Sequence, residues 1–333
     1  MADAPAAVLA IDAGNSKTDV ALIGADGSVL GAARGDGFHP HVIGAGPAVA
    51  GLHRLVEKAA VDSGLPRVEG IVQHVAACLA NADVPLEVER LEEAVAARGW
   101  GTSSGVFNDT YALLRAGLDE MHGVAVICGA GTNCTARHRD GREVRFAAVG
   151  QISGDWGGGG FLWAEAMWWA ARDEDGRGPR TALRDALPPH YGLPDMAALV
   201  EAVHLGDVAP SRCTEMTPLL FEVARMGDRV AGDVVRRQAE EVVAFAAAAL
   251  RRLDALDEPM EVVLGGGVLT AGHAMLLDAI DESLADQAPY ASTRVVPAPL
   301  VVGAGLLGLD HLGVDGPASD RLRAAYAGAG RPR

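Results

Sequence analysis

The chain has 333 residues, which is enough for about two domains, each with its own hydrophobic core. Hydrophobic residues make up 49% of it, and its 42 glycines and 17 prolines fall short of the roughly one quarter or more that marks low-complexity chains. A net charge of −16 argues against nonspecific binding to nucleic acid or anionic lipid, because such binding needs clustered Lys and Arg.

The N-terminal part predicts three strands followed by alternating helices and strands. Apolar runs and turn signals place strands at 8–11, 18–23, 28–34, 70–77 and 105–107, with helices at 47–63 and 86–98. The part of the sequence from residue 124 onward begins with the same pattern of strands and turns. It predicts strands at 124–127, 135–138, 142–148, 261–264 and 293–296. We interpret this recurrence as duplication of one unit that begins with three strands.

The second unit is interrupted by a helical insertion at 161–257, in which the alanine-rich run 242–250 predicts a buried helix. A closing helix is predicted at 302–312, beyond which Asp315-Gly316-Pro317 break the helical pattern. The closing segment as a whole, assigned as a helix at 302–325, is predicted to pack back on the N-terminal unit, and residues 326–333 are predicted to be a frayed tail.

The cysteines and the N-terminus indicate the compartment. The four cysteines form no Cys-x-x-Cys pair and no zinc-finger spacing, which argues against iron–sulfur and structural zinc sites; they are Cys78, Cys128, Cys134 and Cys213. Met1 to Ala10 contains no basic leader region, and no apolar run approaches the roughly 20 residues of a membrane span. We therefore expect a cytoplasmic protein with no membrane partner.

Four glycine-bearing turns follow predicted strands, at 12–17, 129–133, 153–160 and 265–267. Glycine allows close approach of backbone to ligand, and such turns can direct several N–H groups at one phosphate. A single turn of this kind is also explained as a tight hairpin. No turn fits the P-loop pattern or the dinucleotide-binding Gly-x-Gly-x-x-Gly pattern, so these two nucleotide sites are excluded.

The order of the motifs resembles one superfamily. Residues 12–18 resemble the first phosphate motif of the sugar kinase, Hsp70 and actin superfamily, 129–133 its second phosphate motif, and 263–268 its adenosine motif. Asn108-Asp109 before the second motif, and Gly150 and Gly154-Asp155 after it, make the chain most similar to the N-acetylglucosamine kinases of the BadF/BadG-type ATPase family. The ROK-type sugar kinases are the family with the next most similar motifs. They are expected to carry a zinc-binding cysteine cluster, which this sequence lacks.

The resemblance implies an α/β fold of two duplicated RNase H-like (actin-like ATPase) domains with a cleft between two lobes. The lobes would cover 1–117 and 118–301, and the cofactors would be ATP and Mg²⁺. It also implies a homodimer.

Roles for individual residues follow from the same resemblance. Asp109 would be the general base, and Asp12 would hold Mg²⁺ through water. The ATP site would comprise Gly14, Asn15, Ser16, Lys17, Gly129, Gly131, Thr132, Gly265, Gly266 and Gly267. The sugar site would comprise His39, Asn108, Asp109, Asn133, Gly150 and Asp155.

Each role has a structural alternative. The sequence Asn108-Asp109-Thr110 is also a good helix N-cap, Asp12 could bond its own turn, and Asp155 could cap the helix that begins near Phe161. Ser16 and Lys17 could form a solvated hairpin tip.

Other positions depart from the family pattern or have several interpretations. His39 stands where an Asn commonly contacts the sugar, and Val149 where mammalian-type enzymes carry Trp. His39 and His41 alone are too few for a metal site, and could instead be satisfied polar residues under a loop. The helical spacing of Trp163, Trp168 and Trp169 favours buried core or a dimer contact over a sugar-stacking platform.

These features predict an ATP-dependent kinase that phosphorylates the 6-hydroxyl of N-acetylglucosamine or glucosamine. Two alternatives stay open: an ATPase activator of acyl-CoA reductases or dehydratases, whose iron–sulfur cluster needs cysteine ligands, and an ATP-driven regulatory protein.

Overall fold

A computed structural model describes residues 6–65, 68–314 and 316–327. The strands are β1 (Val8–Ala13), β2 (Thr18–Ile23), β3 (Val29–Gly35), β4 (Val72–Leu79), β5 (Gly101–Asn108), β6 (Gly123–Cys128), β7 (Thr132–Arg137), β8 (Glu143–Arg145), β9 (Met260–Gly265) and β10 (Ala291–Val295). The helices are α1 (Pro40–Ile43), α2 (Ala45–Asp62), α3 (Pro85–Ala96), α4 (Asp109–Gly117), α5 (Gly159–Glu174), α6 (Leu183–His190), α7 (Met196–Leu205), α8 (Pro210–Cys213), α9 (Met216–Arg225), α10 (Arg229–Arg252), α11 (Gly267–Thr270), α12 (Ala274–Gln287), α13 (Leu300–His311) and α14 (Pro317–Ala327).

The strands form two five-stranded sheets with the same internal order. The first runs β3-β2-β1-β4-β5 and the second β8-β7-β6-β9-β10. In the first sheet, β2 is antiparallel to β1 and β3, whereas β4 is parallel to β1 and β5. Every strand of one sheet therefore has a counterpart in the other, which agrees with the predicted duplication.

The first sheet is covered on both faces, which explains why β1 reads as a continuous apolar run. Leu9 and Ile11 face one core, with α2 and α3, whereas Val8 and Ala10 face a second core that includes α13 and α14. Alternate residues of one strand thus serve two cores.

The structure corrects several predicted boundaries. The predicted strand 142–148 ends at Arg145, and Ala148 has a left-handed φ of 48°. The insertion is six helices, α5 to α10, and the run 242–250 lies within α10 as predicted.

The closing helix predicted at 302–312 is confirmed by α13, whereas the assignment of 302–325 as one helix is wrong. This segment contains two helices, because Gly313 and Gly316 have positive φ after α13 and a proline then begins α14. Of the predicted tail, Tyr326 and Ala327 belong to α14, and 328–333 lie outside the described residues.

The chain forms two compact units. The first contains residues 1–125, 134–149 and 296–333, and the second contains 126–133 and 150–295. The segment 296–333 thus groups with the N-terminal unit. Relative to the predicted division at 117 and 301, the residues 118–125, 134–149 and 296–301 also group with the first unit. Within the described residues, no helix combines the length and apolar character needed to cross a membrane.

Candidate active site

The parallel strands of the first unit bring polar residues to one edge of its sheet. Asp12 near the end of β1 lies opposite Cys78 of β4, and Leu79 of β4 lies opposite Asn108, the last residue of β5. Carboxyl ends of parallel strands share an edge, and ligands of open α/β sheets bind there. Asp109 follows Asn108 directly, as the first residue of α4.

Asp109 has the electrostatics of a proton acceptor. Burial raises the pKa of its carboxyl to about 6, against smaller lowering effects from the backbone N–H groups of Thr110 and Asp109. A carboxyl with this pKa is ionised at neutral pH and still has appreciable proton affinity, which suits general base catalysis.

Asp12 is a second buried carboxyl at this edge, 6% exposed. Burial raises its pKa well above the ordinary value, and the charges of Asp109 and Asp19 raise it further, while Lys17 and Arg34 lower it. Asp19 lies opposite Asp12 on β2 and is held by Arg34, whose Nε and Nη2 donate to its carboxylate at 2.5 and 2.8 Å. The edge is therefore crowded with negative charge.

This donor set fits magnesium. Mg²⁺ prefers carboxylate oxygens and keeps several waters, and a cation between Asp12 and Asp109 would offset their mutual repulsion. Among the described residues there is no cluster of three His, Cys, Asp or Glu side chains arranged to hold a metal directly.

Asn108 is the N-cap of α4. Its Oδ1 accepts hydrogen bonds from the Thr110 N–H at 3.1 Å and the Thr110 hydroxyl at 2.6 Å, and its Nδ2 donates to Asp83 Oδ1 at 2.8 Å. The side chain is 2% exposed. The capping alternative considered for this tripeptide is therefore realised by Asn108, while its role as a sugar ligand stays a prediction.

The first glycine turn leaves two polar side chains in solvent. The Gly14 N–H donates to the Lys17 carbonyl at 2.9 Å, and the Gly14 carbonyl accepts from the Phe38 N–H at 2.9 Å. Ser16 and Lys17 are exposed at the tip of this turn. Lys17 Nζ lies 4.0 Å from Asp19 Oδ2, and the contacts of Ser16 and Lys17 with a phosphate stay a prediction.

His39 lies on the loop that contacts this turn. It is exposed at the N-terminus of α1, and its ring meets His41 edge to face with centroids 6.0 Å apart. His41 is also exposed, so the alternative in which the two histidines are polar residues covered by a loop does not hold.

In the second unit, two glycine segments pack against one another. The Gly159 N–H donates to the Gly129 carbonyl at 2.7 Å, and the Gly160 N–H to the Ala130 carbonyl at 2.9 Å. Gly158 has a φ of 86°, and a Cβ there would lie 2.5 Å from Gly131 Cα. Glycine at position 158 is therefore required by close backbone contact with the predicted phosphate turn.

Two further predicted segments of this unit are the turn at 265–267 and the loop that contains Gly150 and Asp155. Gly266 has a φ of 86°, and a Cβ there would lie 2.4 Å from the Cys128 carbonyl oxygen, so the turn at 265–267 packs on the end of β6. Gly150 begins a 3-10 turn, and the Gly150 carbonyl accepts from the Asp155 N–H at 3.0 Å. Asp155 also accepts from Ser153, so it stabilises its own loop.

Two other predicted residues lie on β7. Thr132 is buried, and its hydroxyl donates to Cys128 Sγ at 3.7 Å. Asn133, the next residue, is half-buried.

The structure thus groups the predicted residues by unit. Asp12, Gly14, Asn15, Ser16, Lys17, His39, Asn108 and Asp109 belong to the first unit; Gly129, Gly131, Thr132, Asn133, Gly150, Asp155 and Gly265 to Gly267 belong to the second. Sequence reasoning missed Asn81 and Asp83, which follow β4 at the same edge as Asp12. The signal that could have found them is polar residues at the end of an apolar strand.

The tryptophan cluster is only partly buried. Trp168 is 57% exposed, so the buried-core interpretation does not hold for it, and the dimer contact remains a prediction.

The fold and its glycine turns define the class of protein. Two sheets of equal strand order, each opening with an apolar strand and a glycine turn, form the duplicated α/β fold of actin-like ATPases and sugar kinases. A solved Chromobacterium violaceum structure, assigned as an N-acetylglucosamine kinase, has this fold: its TM-score is 0.72 at 22% identity, over 92% of this chain and 99% of that chain.

The sequence profile of the BadF/BadG/BcrA/BcrD ATPase family matches residues 9–308, and the chain belongs to that family. An N-acetylmuramic acid/N-acetylglucosamine kinase of Clostridium acetobutylicum is 25% identical over 190 residues, covering 57% of this chain and 62% of the relative. An N-acetyl-D-glucosamine kinase of Dictyostelium discoideum is 23% identical over 322 residues, covering 91% of this chain and 97% of the relative.

Proposed function

We propose that the protein is an ATP-dependent kinase that phosphorylates the 6-hydroxyl of an amino sugar, N-acetylglucosamine or glucosamine. The observation that carries the proposal is Asp109, a half-buried carboxyl with a pKa of about 6, which lies where the parallel strands of the first sheet end. Family membership and two kinase relatives support the same activity.

In the proposed reaction, the sugar O6 forms a bond to the γ-phosphorus of ATP as the bond from that phosphorus to the β–γ bridging oxygen breaks, and ADP leaves. The hydroxyl proton passes to the Asp109 carboxylate. Ser16 and Lys17 would donate to phosphate oxygens, as would the backbone of the turn at 129–131. The turn at 265–267 would admit the adenosine. Magnesium, which Asp12 would hold through water, would neutralise phosphate charge.

A coupled ADP-release assay tests the proposal, with Mg-ATP and a panel of N-acetylglucosamine, glucosamine, glucose, N-acetylmannosamine and nucleosides. We expect sugar-dependent turnover with one of the amino sugars, and phosphorus NMR of the product to show a 6-phosphate. Activity on none of them contradicts the proposal, and ATP turnover that needs no sugar supports the regulatory alternative instead.

Replacement of the proposed base gives a second test. Asp109→Asn should lower kcat by about 10³-fold or more and leave ATP binding within about twofold, because the amide keeps the shape but cannot take a proton. Asp62→Asn, at an exposed position on α2, is the matched control and should keep full activity. Wild-type turnover in Asp109→Asn would reject Asp109 as the base.

The activator alternative loses support from the cysteines. Cys78, Cys128, Cys134 and Cys213 are all buried. A cluster shared between subunits would need thiolates at the surface. We also propose a cytoplasmic homodimer, for which Trp168 is an exposed contact residue, and light scattering of the purified protein tests the dimer.

A further inference from the structure

The loop between β4 and α3 contacts three segments of the candidate active site. Asn81 Nδ2 donates to Asn15 Oδ1 at 2.9 Å and to the Phe38 carbonyl at 3.3 Å. Asp83 Oδ1 accepts from Asn108 Nδ2 at 2.8 Å. One short loop is therefore bonded to the first glycine turn, to the loop before His39 and to the residue that precedes Asp109.

Asp83 is connected to Asp109 through Asn108, the residue that precedes Asp109. Asn108 uses its Oδ1 to hold the Thr110 N–H and hydroxyl, so Asp83 fixes the side chain that caps α4. Asp109 lies between Asn108 and Thr110, and the direction of its carboxylate depends on this first turn of the helix. The Thr110 hydroxyl is itself 2.6 Å from the Thr135 hydroxyl. A continuous series of hydrogen bonds therefore runs from Asp83 through Asn108 and Thr110 to Thr135.

We propose that Asp83 and Asn81 are positioning residues of this active site: Asp83 orients Asp109 through Asn108, and Asn81 orients the Asn15 turn and the His39 loop. The inference rests on the proposed function, because it assigns these residues to the kinase reaction. Neither residue is placed in contact with the substrate or the transferred phosphoryl group.

The backbone of the loop is also held by contacts that do not use the Asp83 side chain. Glu87 Oε2 accepts from the backbone N–H groups of Asp83 and Val84 at 3.2 Å, and Arg145 donates to the Ala82 carbonyl at 2.6 Å. These contacts already hold the loop.

The environment of Asp83 disfavours its charged form. Burial, together with the charges of Asp109 and Glu87, raises the pKa of Asp83 to about 7, although Arg145 and the hydrogen bond from Asn108 lower it. The bond from Asn108 therefore explains a carboxyl at this position better than stability of the loop does.

The backbone of Asn81 is strained. Its φ is 63°, in the left-handed region that a residue with a side chain seldom adopts, although Asn tolerates it better than most. This backbone conformation accompanies the two hydrogen bonds of its amide. Glycine would relieve the strain and lose both bonds.

Steady-state kinetics of four variants test the proposal. Asp83→Ala should lower kcat by about tenfold or more with the KM for ATP within about twofold, because it disorders the base and leaves the glycine turn intact. Asp83→Asn should recover kcat to within about threefold of wild type, since its amide oxygen still accepts from Asn108. Asn81→Gly should mainly raise the KM for ATP, by about fivefold or more. Glu89→Ala, an exposed position on α3, is the control and should match wild type.

Equal losses in Asp83→Ala and Asp83→Asn, or a kcat of Asp83→Ala within twofold of wild type, overturn the role of Asp83. An unchanged KM for ATP in Asn81→Gly overturns that of Asn81. Crystal structures of the variants decide the inference separately from turnover: the Asn108 side chain should be displaced in Asp83→Ala and remain in place in Asp83→Asn. If wild type phosphorylates no sugar, the proposed function fails, and an undisplaced Asn108 in Asp83→Ala rejects the positioning role.

Discussion

At the scale of single residues, two neighbouring carboxyls shape the chemistry of the site. Asp12 is buried and Asp109 is half-buried, and the carboxyl of each would be ionised far below neutrality in water. Burial disfavours the charged form of each, and the charge of Asp109 adds to the effect at Asp12. The same environment that destabilises the carboxylates gives Asp109 useful proton affinity at neutral pH.

The pKa of Asp109 predicts the pH dependence of turnover. Because its pKa is raised to about 6, the base is protonated and inactive below this pH and ionised above it. We expect kcat to fall about tenfold per pH unit below roughly pH 6 and to level off above about pH 7. The measurement is kcat from pH 5 to 8.5 at saturating Mg-ATP and sugar. A flat profile down to pH 5 would contradict this assignment.

At the scale of elements, α13 packs closely because it presents glycines to its neighbours. A Cβ on Gly303 would lie 1.8 Å from the Ala112 carbonyl oxygen of α4, and one on Gly308 would lie 2.3 Å from Val8 Cγ1 of β1. Side chains at these positions would separate α13 from both elements. The close packing of α13 in the second core of the first sheet therefore depends on the absence of side chains at Gly303 and Gly308.

This packing predicts a large effect of one methyl group. Gly303→Ala should lower the free energy of unfolding by about 2 kcal/mol or more, because the new methyl meets backbone that cannot move without shifting α4. Gly51→Ala, in the middle of α2 with open space around it, is the matched control and should stabilise by about 0.5–1 kcal/mol. Urea unfolding of both variants measures the difference, and equal midpoints would contradict the packing argument.

At the scale of the whole molecule, the chain leaves the first unit and returns to it at its C-terminal end. Residues 296–333 belong to the first unit, where Val302, Leu306 and Leu322 are core residues. Arg115 of α4 also binds Asp310 of α13 through two hydrogen bonds, at 2.6 and 2.9 Å. The core on one face of the N-terminal sheet is therefore completed only by α13 and α14, in the last segment of the chain.

This arrangement predicts a graded response to truncation. A chain ending at Val295 loses α13 and α14, so one face of the first sheet is exposed and we expect the first unit not to fold. A chain ending at Gly313 loses α14 alone and should fold with a lower unfolding midpoint. Hydrogen exchange of β1 and β2 reports both outcomes. Full-length protection in the chain ending at Val295 would contradict the prediction.

Much of the secondary structure could be predicted because its signals are local. The strand predicted at 18–23 has those bounds in the structure, and the other strands of the first sheet were found with shifted ends. The first four residues of β5 were missed because Gly101 to Ser104 are small or polar. The break between α13 and α14 was predicted from Asp315-Gly316-Pro317, and only the assignment of 302–325 as one helix ran across it.

The sequence by itself determined the duplicated order of strands, the glycine turns and the candidate residues Asp12 and Asp109. These features depend on residue type and spacing along the chain. Only the tertiary structure decided that Asn108 caps α4 while bonded to Asp83, and that Gly303 contacts Ala112. Such contacts join residues far apart in sequence, and the pKa of Asp109 depends on burial that packing alone creates.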